Sequence, residues 1–187
     1  IDGHTHTSLA GDGRPYAEMF SETDEMMVLT GVMNLKKHLE AGITTAREHG
    51  ARNMVGFVLK EGLQRGYFPG PRLQVSGRPV TCTGGHFHMC NEVADGEAEI
   101  RRSVRRLVHE GADYIKIMAS GGGTAGTIPA IRSFTADTLA TEAKIMIGML
   151  GGKIGPPLSR LKLWPASSKS TTMTSPFFCD GVSADGT

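Results

Sequence analysis

Residues 97–123, EAEIRRSVRRLVHEGADYIKIMASGGG, decide how the rest of the chain is read. Ile100, Val104, Leu107 and Val108 recur at helical spacing among charged residues, which predicts a helix over Glu97–Glu110 with those four turned inward. Gly111 stops it, as a glycine does at a helix C-terminus. Asp113–Met118 is then short, apolar and β-rich, a strand, and Gly121-Gly122-Gly123 follows at once. The same unit recurs upstream. Met54–Arg65 places Val55, Val58, Leu59 and Leu63 on one helical face, and Pro69-Gly70-Pro71 leads into a strand at Arg72–Ser76. Met33–Ala41 is helical in spacing, Gly42 ends it, and the β-branched Ile43–Ala46 is a strand. Ile1–His6 reads as the end of a first strand, and Thr135 caps a further helix start at Phe134–Asp137.

Regular alternation of strand and helix predicts an α/β fold with a parallel sheet and crossover helices, its four strands ending near His6, Ala46, Ser76 and Met118. The residues with chemistry sit just after those strands: His4 and His6, Arg47–His49, His86 and His88, and Lys116–Gly123. Parallel α/β folds place their sites there. A doubly wound sheet fits the alternation too, but no GxGxxG follows the first strand.

The bulk numbers narrow the function. With 187 residues the chain is long enough for a domain that buries roughly 70% of its unfolded surface. Lys plus Arg total 20 against 19 Asp plus Glu, a net charge of +1, without the basic excess that a nucleic acid or an anionic membrane would need. No run of 18 apolar residues is present, so no membrane span is expected. Three cysteines with no CxxC do not make a disulfide framework, which favours a reducing, cytoplasmic setting. The first residue is Ile1, so the reading leaves a removed signal peptide open.

Composition breaks after residue 142. From Ala143 to Cys179 there is no Asp or Glu but five basic residues, with Pro156-Pro157 and a Ser/Thr-rich run from Ser167 to Ser175. No helical or strand period runs through this segment, and an irregular, poorly packed tail is expected.

Four motifs could carry chemistry. His4 and His6 stand at i and i+2, which on a strand puts both rings on one face where they can grip one cation; two unrelated histidines are the bland alternative. Asp2 is a candidate partner at the strand end. Lys116 lies among Ile115, Ile117 and Met118, where burial would favour a neutral amine that is nucleophilic or can take up carbon dioxide as a carbamate. A lysine snorkelling to the sheet edge is its alternative. Cys82–Cys90 packs two Cys and two His into nine residues, a substrate-facing loop or, less in keeping with zinc-knuckle spacing, a structural zinc. Gly121–Gly123 is either a tight turn or an anion cradle lacking the GK[ST] ending. Arg47, Glu48 and His49 are substrate contacts or loop polarity, and His38 and His109 are expected to be solvated on helix surfaces.

At this point the residues resemble a known family. Ile1-Asp2-Gly3-His4-Thr5-His6 resembles the HxH motif on the first barrel strand of the amidohydrolase superfamily. Ala41–Arg47, Gly70–Leu73, Ser76–Arg78, Thr83–His86 and Gly111–Gly122 follow in the order of its imidazolonepropionase-like and Xaa-Pro or Xaa-Arg dipeptidase-like branch, over about residues 1–142. The resemblance implies a partial TIM-type barrel of about four βα units and a divalent metal site, usually zinc and binuclear. His4 and His6 would be ligands and carboxylated Lys116 a bridge. It places His86 in the loop near a small-molecule or dipeptide-like substrate, and His88 and Arg47 are the further substrate-binding candidates. The metals of such relatives lower the pKa of water and polarise a carbonyl, so that an amide or related C–N bond is hydrolysed.

The departures are as informative. Relatives carry two more histidines, on the fifth and sixth strands, and an aspartate on the eighth, yet no histidine follows Lys116 in this chain. Cys179–Thr187 again resembles the family, and a shifted reading frame between about Ala143 and Phe178 would account for the interval. The expectation is a hydrolase by family whose 187-residue chain looks truncated and inactive. A non-enzymatic fragment with residual metal binding and a phosphate-binding half-barrel are the other readings.

Overall fold

A computed structural model describes residues 1–135 and 137–140. Three parallel strands form one sheet in the order β1 (Asp2–Thr5), β2 (Thr45–Glu48), β3 (Arg72–Val75). Four helices accompany them: α1 (Tyr16–Met19), α2 (Asp24–Glu40), α3 (Val55–Gln64) and α4 (Glu97–His109). A 3-10 turn spans His88–Cys90, and residues 137–140 are again helical. Thr135 caps that last helix through its hydroxyl, which accepts from the Thr138 amide at 3.2 Å. The expected α/β parallel architecture is therefore present. β2 and β3 pair in register from Thr45↔Arg72 to Glu48↔Val75, while β1 pairs with β2 through Asp2↔Ala46 and Thr5↔Glu48 with a shift between them.

The fourth strand differs from expectation. Asp113–Met118 does run parallel beside the end of β3, with Asp113 N–H donating to Val75 O, Val80 N–H to Lys116 O and Met118 N–H to Val80 O, each at 2.9 Å. Only the Val80↔Ile117 bridge forms, outside any named strand. The partner segment explains why: Gly77 takes φ +70°, and Pro79 has no N–H to give, so a continuous ladder is interrupted.

Helix α2 begins earlier than its apolar spacing suggests. Thr23 caps it by accepting from the Met26 amide at 3.4 Å, and Asp24 and Glu25 suit the positive end of the helix dipole. Its first turns escape periodicity because Met26, Leu29 and Met33 face outward, at 50%, 60% and 47% exposure. Inside, Met27, Gly31 and Leu35 are buried, and Gly31 lets Leu59 of α3 approach so closely that a Cβ there would lie 2.4 Å from Leu59 Cδ1. Val58, expected inward, is 46% exposed, while its neighbour Phe57 is buried against Gly77. On α4, Ile100, Val104 and Leu107 are buried as the helical spacing predicts.

Among the described residues no helix is long and apolar enough to cross a membrane. The basic segment 143–179 and the family-like end 180–187 lie outside the described residues.

Candidate functional site

His4 lies on β1 and His6 just beyond its end, and their Nε2 atoms face one another at 3.4 Å. Two nitrogen ligands about 2.0–2.1 Å from a tetrahedral ion lie about 3.3–3.4 Å apart, so the pair is spaced to share one cation. His6 Nδ1 donates to Gly50 O at 3.2 Å. A carbonyl only accepts, so the His6 proton sits on Nδ1 and the Nε2 lone pair is directed at His4. Burial pushes the His6 pKa down to about 4, against the Gly50 carbonyl and with help from the charges of His4, Lys116 and His86. Burial lowers His4 as well. The neutral imidazole is the form that binds a cation. Asp2 is the strand-end partner expected of it, its carboxylate accepting from the His4 amide at 3.0 Å. The same carboxylate lies 3.4 Å from His38 Nε2, and His38 Nδ1 donates to Asn34 O at 2.9 Å. His38 is thus held against β1 rather than solvated, whereas His109 is exposed as expected.

Lys116 is buried, close enough to His4, His6, His49 and Glu48 for an ammonium there to bias their titration. Glu48 is fully buried at 0% exposure. Its Oε2 accepts from the Gly50 amide at 3.0 Å, while Oε1 has no hydrogen-bond partner and lies 4.0 Å from His6 Nδ1. Burial pushes its pKa up to about 8, opposed by the backbone amides of Gly50 and Thr7 and by Lys116. The His49 ring stacks on His4 with centroids 4.2 Å apart. Tyr114 donates its O–H to the Glu48 carbonyl at 2.6 Å, and its oxygen lies 2.6 Å from His49 Nδ1. With the tyrosine proton so used, His49 donates from Nδ1. Burial pushes His49 down to about 3. The Arg47 guanidinium sits 4.0 Å above the Tyr114 ring, and its Nε is buried without a hydrogen-bond partner.

Sequence reasoning groups Arg47, Glu48 and His49 as contacts or loop polarity and misses Tyr114. One signal points to it: Tyr114 stands two residues before Lys116, and that spacing on an extended segment shares a face.

The loop after β3 closes one side. His86 Nδ1 and Thr124 Oγ1 are 2.8 Å apart, and Phe87 packs on the rings of His6, Tyr16 and Phe20 with centroids 4.9, 5.5 and 5.6 Å away. His86 is thereby brought towards His6. His88 instead turns into its own loop, with Nδ1 3.0 Å from Gly85 O. Cys82 and Cys90 are free, and among the described residues no group of three or more His, Cys, Asp or Glu side chains is arranged to hold a metal. The Cys82–Cys90 loop therefore does not assemble a zinc knuckle. The residues that fit a cation are the His4 and His6 pair, with Lys116 beside them.

Linkage gives the apo chain a defined pH response. Glu48 keeps its proton in the fold between its ordinary 4.5 and about 8, where the unfolded chain has lost it, so its contribution falls as pH rises through that window. His6 and His49 stay unprotonated in the fold below their ordinary 6.5, down to about 4 and about 3, so their contribution is lost as pH falls through that window. Two histidines outweigh one glutamate below 6.5, and Glu48 acts alone above it. In chelator-containing buffer the urea midpoint is expected to peak near pH 6.5. Glu48→Gln should flatten the alkaline side and steepen the acid side, where Glu48 no longer opposes the two histidines, and a midpoint rising steadily from pH 6 to 8 would contradict a protonated Glu48 beside neutral His6 and His49.

Comparison with known proteins places this geometry. The amidohydrolase family model matches residues 1–147. A solved amidohydrolase is 28% identical with a TM-score of 0.69, over 79% of this chain and 40% of that one. A prolidase solved with N-methylphosphonate-L-proline is 26% identical, TM-score 0.67, over 78% and 39%. A Xaa-Pro dipeptidase with methionine bound in its active site shares the fold at 23% identity, TM-score 0.66, over 77% and 39%. The chain thus spans about two fifths of the length of these structures. A search of curated proteins gives no match. On the match over residues 1–147, the chain belongs to the amidohydrolase family.

Proposed function

We propose that this chain supplies the first four βα units of a TIM-type barrel hydrolase that cleaves amide or peptide-like C–N bonds in small, dipeptide-like substrates. His4 and His6 would hold a divalent cation, zinc by preference, and Lys116 as a carbamate would supply a further anionic ligand. The observation that carries the reading is the 3.4 Å spacing of the two Nε2 atoms, with buried Lys116 beside them. A bound cation would polarise the substrate carbonyl and lower the pKa of water. The chain's own groups do the rest. His6 is kept neutral by burial and oriented by Gly50 O. Phe87 and Phe20 exclude water from one side. His86 faces the site from the loop after β3, and Arg47 offers a cation over Tyr114 for a substrate carboxylate. His88 is the weakest of the substrate contacts, since it bonds within its own loop.

A second reading, residual metal binding without turnover, draws on the two-histidine set among the described residues. The phosphate-binding reading loses ground, because the Gly121 and Gly122 amides already donate to Ile131 O and Thr127 Oγ1.

The test is zinc titration of the 187-residue chain, with metal content and Xaa-Pro hydrolysis followed together. Weak binding that disappears in His6→Ala, with hydrolysis at background, is expected. Equal binding by wild type and His6→Ala would end the metal reading. Tight uptake of two metals with turnover would mean that residues outside those described complete the site.

A further inference from the structure

We infer that Glu48 is a positioning residue for His6: its buried carboxyl group holds the Gly50 peptide, whose carbonyl in turn fixes the His6 ring with Nε2 open toward His4. The inference deepens the metal reading above and rests on it for its functional meaning, though its geometry stands alone. The chain of contacts is short. Glu48 Oε2 accepts from Gly50 N–H at 3.0 Å, and Gly50 O accepts from His6 Nδ1 at 3.2 Å. Gly50 is thus gripped at its N–H by the carboxyl and presents its carbonyl to the ring.

Three further features separate this from a simple turn. First, residue 50 is at φ +140°, where side chains are disfavoured, and a Cβ there would lie 2.7 Å from Pro79 Cγ; the backbone is brought tight against its surroundings at this point. Second, Glu48 is fully buried, a costly place for a carboxyl group that only closes a turn. Third, its remaining oxygen has no hydrogen-bond partner and lies 4.0 Å from the same His6 Nδ1. The Gly50 carbonyl, held in place by the Glu48 carboxyl, keeps the proton on Nδ1 and the lone pair on Nε2. Groups that orient a ligating histidine through its far nitrogen in this way are worth about 10–100-fold in metal affinity.

The test reads the His6 tautomer directly, by long-range 1H–15N correlation on the 187-residue chain in chelator, with zinc affinity measured separately. Wild type is expected to show His6 as the Nδ1–H tautomer alone. Glu48→Gln, whose carboxamide oxygen still accepts from Gly50, should keep both the tautomer and the zinc affinity. Glu48→Leu should give a mixture of tautomers and weaken zinc by about 10–100-fold, while the amide shifts of β2 and β3 stay in place. An unchanged tautomer in folded Glu48→Leu overturns the inference. So does an Nε2–H tautomer in the wild type, a result that does not depend on any variant folding. If the tautomers follow Glu48 as expected but zinc does not bind the wild type, the positioning role holds and the metal reading fails.

Discussion

Arg78→Leu is expected to cost about 3–5 kcal/mol of folding stability, the penalty for breaking a buried ion pair and leaving Glu92 with only the half-exposed Arg106. Arg78 and Glu92 are both buried, and Arg78 Nε donates to Glu92 Oε2 at 2.7 Å. The other nitrogens of the guanidinium reach Asn53 O at 2.9 Å and the carboxylate of Glu110, and Arg106 takes the second oxygen of Glu92. The network ties the segment after β3 to the start of α3, to the loop holding His86 and to the end of α4. Thr81 N–H donates to Glu92 O at 3.1 Å, so releasing Glu92 also loosens the base of that loop. The double variant Arg78→Leu/Glu92→Leu should recover much of the loss, because two apolar side chains replace a pair that was costly to desolvate. Urea denaturation of the single and double variants measures this. A single-variant cost below about 1 kcal/mol would put the pair in the range of solvent-exposed bridges and show that water reaches Glu92.

The contrast between this network and the candidate site explains what a sequence can and cannot tell. The strand–helix order was legible because Gly42 and Gly111 stop their helices at positive φ, +82° and +99°, and short β-rich segments follow. His4 and His6 were legible because a spacing of two on a strand has only one geometric consequence. Lys116 was legible from its apolar neighbours, and it is buried. Glu48 was not. Its burial depends on the fold of the turn through Gly50 and on α3, where a Cβ on Gly56 would lie 3.6 Å from Glu48 Oε2. No local pattern announces either. His38 was misjudged for a related reason: helical spacing gives it a surface, but Asp2 and Thr5 of β1 occupy that surface, with Thr5 Oγ1 3.3 Å from His38 Nε2. The Arg78 network joins residues 14 and 32 apart in sequence and leaves no periodic trace.

The glycine run gives the second large effect, and it separates two kinds of close approach. Gly121, Gly122 and Gly123 are absent from the positive-φ residues of the chain, whereas Gly126 takes φ +82° and supplies the turn. The three are there for want of a Cβ, not for turning. A Cβ on Gly121 would lie 2.3 Å from Ile128 O and 2.7 Å from Ile128 N, against backbone in a loop held by the Ser120↔Arg132 bridge and the Gly121 N–H to Ile131 O bond. A Cβ on Gly122 would lie 2.5 Å from His86 Nε2, and one on Gly123 2.8 Å from Tyr16 Cε2, both side chains that can swing aside. Gly121→Ala is therefore expected to lose at least about 1–3 kcal/mol, the range for forcing atoms into packed structure. Gly122→Ala should lose less stability but break the 2.8 Å contact between His86 and Thr124, moving the His86 imidazole signals. Urea midpoints and imidazole spectra of the two variants decide it. Equal losses with His86 unmoved would mean that the 120–132 loop yields before the side chain does, and that the glycines do not set where His86 stands beside the candidate site.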